Sequence, residues 1–211
     1  MTAAVRRQTD RREEILAAAQ RCFARSGFHQ SSMQEICAEA GMSPGGLYRY
    51  FPSKEAIIAA IAERDRADAA ANFAAAAEVP GVFESLEKLA RHYLIERSDE
   101  EIAVCAEIRT ESRRNSEVGR IHHTINAEVE AGIAGVLRKA VQRGEIPADI
   151  DIEKAVVVLL SLGDGIEWRR AVDPKFDVQS LIPQIMQVAR CLLSHGPDAA
   201  QKSGKGKSHE V

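Results

Sequence analysis

Residues 41–55 read GMSPGGLYRYFPSKE, and the fold of the chain turns on this stretch. Gly41 closes one helix-like segment. Two residues on, Ser43-Pro44 opens another, with Ser as N-cap and Pro at the first helical position, where its missing N–H costs nothing. Leu47, Tyr48 and Phe51 follow, and Pro52-Ser53 breaks the chain before it restarts at Lys54. Upstream, Ser32 and Glu35 have capping-box spacing, and Met33, Ile36, Cys37 and Ala40 form a short apolar face. Farther back, Asp10 and Glu13 repeat that spacing and predict a helix start at Asp10. Ile15, Leu16, Ala19 and Phe23 then recur at helical period, and Ser26-Gly27 stops the helix. Three short helices, the last two joined by a tight glycine turn, spell a helix-turn-helix. In that motif one helix lies across the DNA backbone and the next enters the major groove.

Outward from this module the pattern is long helices. The spacing predicts helices over 55–78, 82–97, 100–114, 116–143, 152–172 and 176–194, the last with Leu181, Ile185, Val188 and Leu192 on one stripe. With the first three this makes about nine helices and an all-α chain: an N-terminal three-helix DNA-binding domain (1–53), a C-terminal helical bundle (54–195), and a disordered tail (196–211) rich in Lys, Ser, Gly and Asp.

Charge divides along the same line. Residues 1–54 hold eight Lys and Arg against five Asp and Glu, a net +3, which leaves 20 basic and 26 acidic residues, or −6, in the rest. A basic front on an acidic body suits contact with a polyanion at one end only. Met1 to Arg12 has no apolar signal-peptide core, and the longest apolar stretch, Ala155 to Leu162, is too short to span a bilayer. A cytoplasmic protein with no membrane partner is expected. Cys22, Cys37, Cys105 and Cys191 lack metal-ligand spacing and read as core residues, with thiol sensing as the alternative. His122-His123 lacks the i, i+4 spacing that would put two ligands on one helix face, so no metal is expected. There is no nucleophile–base pair and no phosphate loop, so the chain reads as a non-enzyme without cofactor.

The run GMSPGGLYRYFPSKE, extended backward through SSMQEICAEAG to the helix at Asp10, resembles the signature of the TetR family of transcriptional regulators. The match covers roughly the first quarter of the chain. The resemblance implies a repressor that dimerises through its last two helices and leaves operator DNA when a small molecule binds the C-terminal domain. By position, Ser32 and Gln34 are implied to face phosphate. Ser43, Pro44, Gly45, Gly46, Tyr48, Arg49 and Tyr50 form the recognition helix, and Lys54 grips a phosphate. Arg6, Arg7 and Arg11 are candidates for backbone or minor-groove contact, or a solvated arm. Family members often carry Lys where this chain has Pro44 and a small hydroxyl residue where it has Gly46. Arg49 is therefore the foremost candidate for base readout, since Arg pairs bidentately with guanine, helped by Gln34 and DNA shape.

The sensing region is less informative. Candidate pocket residues are Tyr93, Cys105, Ile108, His122, Asn126, Asp164 and Trp168, for an effector of unknown identity. Glu107 and Arg109 have two open readings, pocket lining or solvated helix face. Trp168 has two as well, stacking on a ligand or packing at a dimer seam. Gly163 and Gly165 in an apolar helix point to close helix approach or a kink. Competing readings of the whole chain are an activator or protein-responsive regulator, a small helical enzyme, and a dimerisation module that no longer binds DNA.

Overall fold

The computed structural model describes residues 3–194, with side chains from residue 10 onward. Arg6, Arg7 and the tail 196–211 lie outside the described side chains. Among the described residues the chain is all-helical, with nine α-helices and no strands. Packing divides it into two compact units, Met1–Asp68 with Ser98–Asn126, and Ala69–Arg97 with Ala127–Val211.

The first unit begins with α1 (Ala3–Gln30). The helix starts before Asp10 because the preceding Ala, Val, Arg and Gln residues all tolerate helix, so Asp10 lies within it rather than capping it. The break expected at Ser26-Gly27 is present: Gly27 adopts φ 75, ψ 164, a conformation that penalises any residue with a Cβ. Helices α2 (Met33–Glu39) and α3 (Pro44–Tyr48) follow, then α4 (Lys54–Glu78) up to Asp68. α6 (Asp99–Glu111) and the start of α7 (Ser116–Gln142) complete the unit.

Ile15, Leu16 and Phe23 of α1 pack with Ile36 of α2, Leu47 of α3, Ile57, Ile58 and Ile61 of α4, and Val104 and Ile108 of α6. This core matters most for α3. Five residues are far too few for a helix to stand alone in water, so Leu47, fully buried, fastens it down. Each such side chain contributes about 1.5–3 kcal/mol when fully buried.

The second unit holds the rest of α4 and α7, with α5 (Val82–Arg91), α8 (Ile152–Val172) and α9 (Ile182–Ser194). Its core joins Phe73, Leu86, Leu89, Leu137, Ile146, Val156, Ile182, Met186 and Leu193. Gly132 of α7 lies so close to Phe73 of α4 that a Cβ there would sit 2.5 Å from Phe73 Cδ2. The N-terminus of α5 is capped from afar. Gly81 has no capping side chain, and the Glu145 carboxylate accepts the N–H groups of Gly81 (3.2 Å) and Val82 (2.6 Å).

Helix α5 does not continue to Arg97 as expected. It widens into a π turn over His92–Glu96 and ends at Arg97, which leaves the carbonyls of its last turn without helical partners. Arg170 of α8 fills that need, donating to Leu94 O (3.1 Å), Ile95 O (3.3 Å) and Arg97 O (2.7 Å). Glu167, one turn earlier on α8 and buried, faces the Arg97 guanidinium at 3.5 Å.

The last helix departs from expectation in two ways. It starts at Ile182 after a 3-10 turn over Gln179–Leu181, because Pro183 cannot sit inside a helix running from residue 176 but fits a first turn. Its buried stripe is Ile182, Met186, Ala189 and Leu193, one position on from the stripe at Leu181, Ile185, Val188 and Leu192. Both stripes are apolar, so periodicity alone did not choose between them. Cys22 and Cys37 are core residues as expected, whereas Cys191 is exposed on α9. Burial pushes the thiols of Cys22 and Cys37 up from their ordinary pKa, for Cys22 against an opposing pull from Arg25.

Candidate nucleic-acid interface

The α2–α3 pair is built from local caps. Ser32 Oγ accepts the N–H of Glu35 (3.2 Å), while the Glu35 carboxylate accepts the N–H of Ser32 (2.6 Å). Ser43 Oγ accepts the N–H of Gly46 (3.3 Å), with Pro44 in the first helical turn. Each serine therefore uses an oxygen lone pair inward and keeps its O–H proton as a donor. An exposed hydroxyl with one lone pair occupied in this way can still donate to a phosphate oxygen.

Gln34, Pro44, Gly45, Tyr48 and Arg49 are exposed beside them, and Gly46 and Tyr50 are half-buried. Tyr48 keeps 53% of its surface open, whereas Tyr50 packs against the core. The two glycines differ. A Cβ on Gly46 would meet Met42 Cε and Ser43 Oγ, both at 3.3 Å, but a Cβ on Gly45 would meet nothing within 4 Å. Internal packing thus accounts in part for Gly46 and not at all for Gly45, whose missing side chain opens the backbone outward.

The basic residues divide by whether they are engaged. Arg21 and Arg25 of α1 hold Glu39 of α2 at 2.7 and 3.3 Å, and the Arg21 hydrogen bond, with help from Arg25, keeps the Glu39 carboxyl below the usual glutamate range. Arg12 lies over the Phe51 ring at 5.2 Å. Arg11 pairs with Glu14 and reaches toward the Gly41 carbonyl at 3.5 Å. Lys54 donates to Phe28 O (2.6 Å) and His29 O (3.3 Å), with its ammonium 4.6 Å from the Phe28 ring centroid. Among the described residues Arg49, at the C-cap of α3, makes no ion pair or hydrogen bond through its guanidinium. It is exposed, which leaves five donors in a planar fork facing solvent.

The pocket candidates fall into both units. In the first, Ile108 is part of the core, Cys105 and His122 are half-buried, and Asn126 is exposed. In the second, Tyr93 stacks on Phe73 at 5.8 Å between centroids and meets His92 edge-on at 4.9 Å. Asp164 and Trp168 lie on an exposed face of α8, where Trp168 keeps 52% of its surface open. Sequence reasoning set Glu107 between pocket lining and solvated face. In the structure it accepts the Phe28 backbone N–H at 2.9 Å, a contact that no local pattern signals.

Comparison with known proteins agrees with this geometry. Residues 15–61 match the family of bacterial regulatory proteins of the tetR type, and residues 83–193 match the C-terminal domain of BetI-type transcriptional repressors. The HTH-type transcriptional regulator UidR of Escherichia coli K12 is 35% identical over 159 residues, covering 74% of this chain and 79% of that protein. Salmonella enterica GusR superposes with a TM-score of 0.76 at 32% identity over 87% of this chain and 95% of that one. FadR of Bacillus subtilis, solved in complex with stearoyl-CoA, has a TM-score of 0.75 at 24% identity, covering 86% and 97%. Two adjoining domain matches, relatives that are regulators rather than enzymes, and a capped helix-turn-helix with an unengaged arginine converge: the chain belongs to the TetR family of DNA-binding transcriptional regulators.

Proposed function

We propose that this regulator is a cytoplasmic homodimeric repressor that holds operator DNA through residues 1–53 and releases it when a small molecule binds within residues 54–195. The observation that carries the DNA-reading half is the exposed α2–α3 surface, where Arg49 is unengaged among the described residues. Arg49 reads a base edge, Ser32, Gln34 and Ser43 donate to phosphates, Tyr48 reaches the backbone, and Gly45 admits close approach. Lys54, held to two carbonyls of the α1 end, uses its remaining proton toward a phosphate.

The dimer half is supported by an apolar face without cover. Val157, Val158, Trp168 and Val172 of α8 and Val188 of α9 are exposed, and a Cβ on Gly163 or Gly165 would meet nothing within 4 Å. Among the described residues no helix is long and apolar enough to cross a membrane, so this face is assigned to a second copy of the chain. A dimer of this kind would set its recognition helices about 34–36 Å apart, one DNA turn. A ligand favouring another spacing lowers operator affinity by its differential binding. The stearoyl-CoA complex of a neighbour at 24% identity lends the effector no identity here.

The test is binding to the DNA upstream of the protein's own coding region, and to duplexes selected from a random pool, by fluorescence anisotropy across a salt series. Specific binding that weakens with salt is expected. Arg49→Ala should cost about 1–3 kcal/mol of discrimination. A chain that selects no duplex above random sequence would refute the operator reading.

A further inference from the structure

The stretch from Gly27 to Ser32 is the joint between α1 and α2. Because Gly27 leaves the helical conformation, the Phe28 N–H loses its regular acceptor and must find another. The polar groups of the joint are satisfied from three directions. Ser31 Oγ donates to Gly27 O at 2.8 Å, with Cys22 O at 3.1 Å. Lys54, at the start of α4, takes the Phe28 and His29 carbonyls. The remaining ties come from α6. Glu107 Oε2 accepts the Phe28 N–H at 2.9 Å, and Glu111, buried, faces His29 Nε2 at 2.6 Å.

The first two sets of ties belong to the DNA-reading module and the helix that follows it. Those from α6 do not; Glu107 lies 79 positions along the chain from Phe28. Gly27 reserves the space this contact needs, since a Cβ there would sit 3.1 Å from Glu107 Oε2. Ser32, only four positions beyond Phe28, caps α2 and carries its first turn. Gln34 follows it.

We infer that Glu107 is a positioning residue for operator binding: its carboxylate fixes the joint, and through it the first turn of α2, in the placement that reads DNA. The inference rests on the DNA-binding reading above. It makes α6 part of the DNA-reading apparatus without touching DNA. A hydrogen bond weakens steeply once distance and angle leave their narrow range, so a shift of α6 by an ångström or so would break this tie and leave the joint held by Ser31 and Lys54.

The experiment compares the full-length wild type with Glu107→Ala, Glu107→Gln and Glu107→Asp. The probes are the duplex that the wild type selects from a random pool and a random duplex of equal length. Glu107→Ala should bind the selected duplex about tenfold more weakly as the reading-competent placement becomes a minor population. It should leave the random duplex unchanged, with the wild-type salt slope, since no phosphate contact is lost. Glu107→Gln should recover most of the affinity, because its amide oxygen can accept the same N–H. Glu107→Asp should not, because its shorter carboxylate falls short of Phe28. If Glu107→Ala fails to fold by circular dichroism, Glu107→Asp decides alone: weaker specific binding supports the inference, and wild-type affinity overturns it. Wild-type affinity in folded Glu107→Ala, equal loss on both duplexes with a shallower salt slope, or a glutamine variant as weak as the alanine one would also overturn it. A wild-type chain that selects no duplex would overturn the operator reading as well, and so is distinguishable from these.

Discussion

The exposed surface of α3 and the exposed surface of α8 are both incomplete, in opposite ways. On α3 it consists of Pro44, Gly45, Tyr48 and, just beyond, Arg49, so it offers donors and bare backbone with little apolar area. On α8 it includes Val157, Val158, Trp168 and Val172 among charged neighbours such as Lys154 and Asp164, so it offers more uncovered apolar area than α3 does. Donors without acceptors are completed by a polyanion. Uncovered apolar side chains are completed by another protein surface. Within one all-helical chain, the chemistry of what is left exposed distinguishes the proposed DNA-reading surface from the proposed assembly surface, where helix content does not.

The sharpest way to break this contrast is to charge the apolar face. Trp168→Glu should raise the dimer dissociation constant on the order of a hundredfold, since buried interface tryptophans commonly carry 2 kcal/mol or more. Sedimentation velocity would show it, and an unaltered dimer would remove α8 from the interface. Next in size is an internal control. Gly132→Ala should lower unfolding stability by about 1–3 kcal/mol through overpacking against Phe73, read from denaturant midpoints, because the Phe73 ring cannot yield 2.5 Å contacts cheaply.

A smaller and more diagnostic effect is expected at Gly45. Gly45→Ala should stabilise α3 by roughly 0.5–1 kcal/mol, since its Cβ meets open space, yet weaken operator binding. If stability and affinity rose together, the glycine would not serve backbone approach to DNA. The smallest effect concerns Glu39. Arg21 and then Arg25 hold its carboxyl below the ordinary value of 4.5, so the stabilisation is complete above that value and is lost as pH falls through the lowered one. Wild type should exceed Glu39→Gln in melting temperature slightly at neutral pH and low salt. The difference should vanish in acid and shrink with salt, because the pair is solvent-exposed.

The helix-turn-helix was legible in the sequence because its signals are local. Ser32 with Glu35, Ser43 with Pro44, and Gly27 each satisfy or break hydrogen bonds within a few residues, and the structure holds those capping bonds and that break. Helix α8 was legible as well, running from Ile152 to Val172 as expected, although the sequence pattern places its N-cap, Asp151, only in the preceding loop. What stayed hidden depends on distant partners. The start of α1 was placed too late because Asp10 offers a cap in a segment that is helical on both sides of it. The buried stripe of α9 was displaced by one position because two neighbouring stripes are equally apolar. The roles of Glu107, Glu145 and Arg170 were invisible because their acceptors or donors are backbone groups 79, 63 and about 75 positions away.

The π turn at His92–Glu96 has a consequence for insertions and deletions. Such a turn holds one residue more than a regular helical turn would. Deleting a residue within it would let α5 run on as ordinary helix and rotate everything after it by about 100°, one residue's share of a turn. Arg97 would swing away from Glu167, and the carbonyls at the helix end now held by Arg170 would turn out of its reach. Variants of this chain that lack one residue here should therefore tolerate loss of the arginine on α8, while those keeping the full length should not.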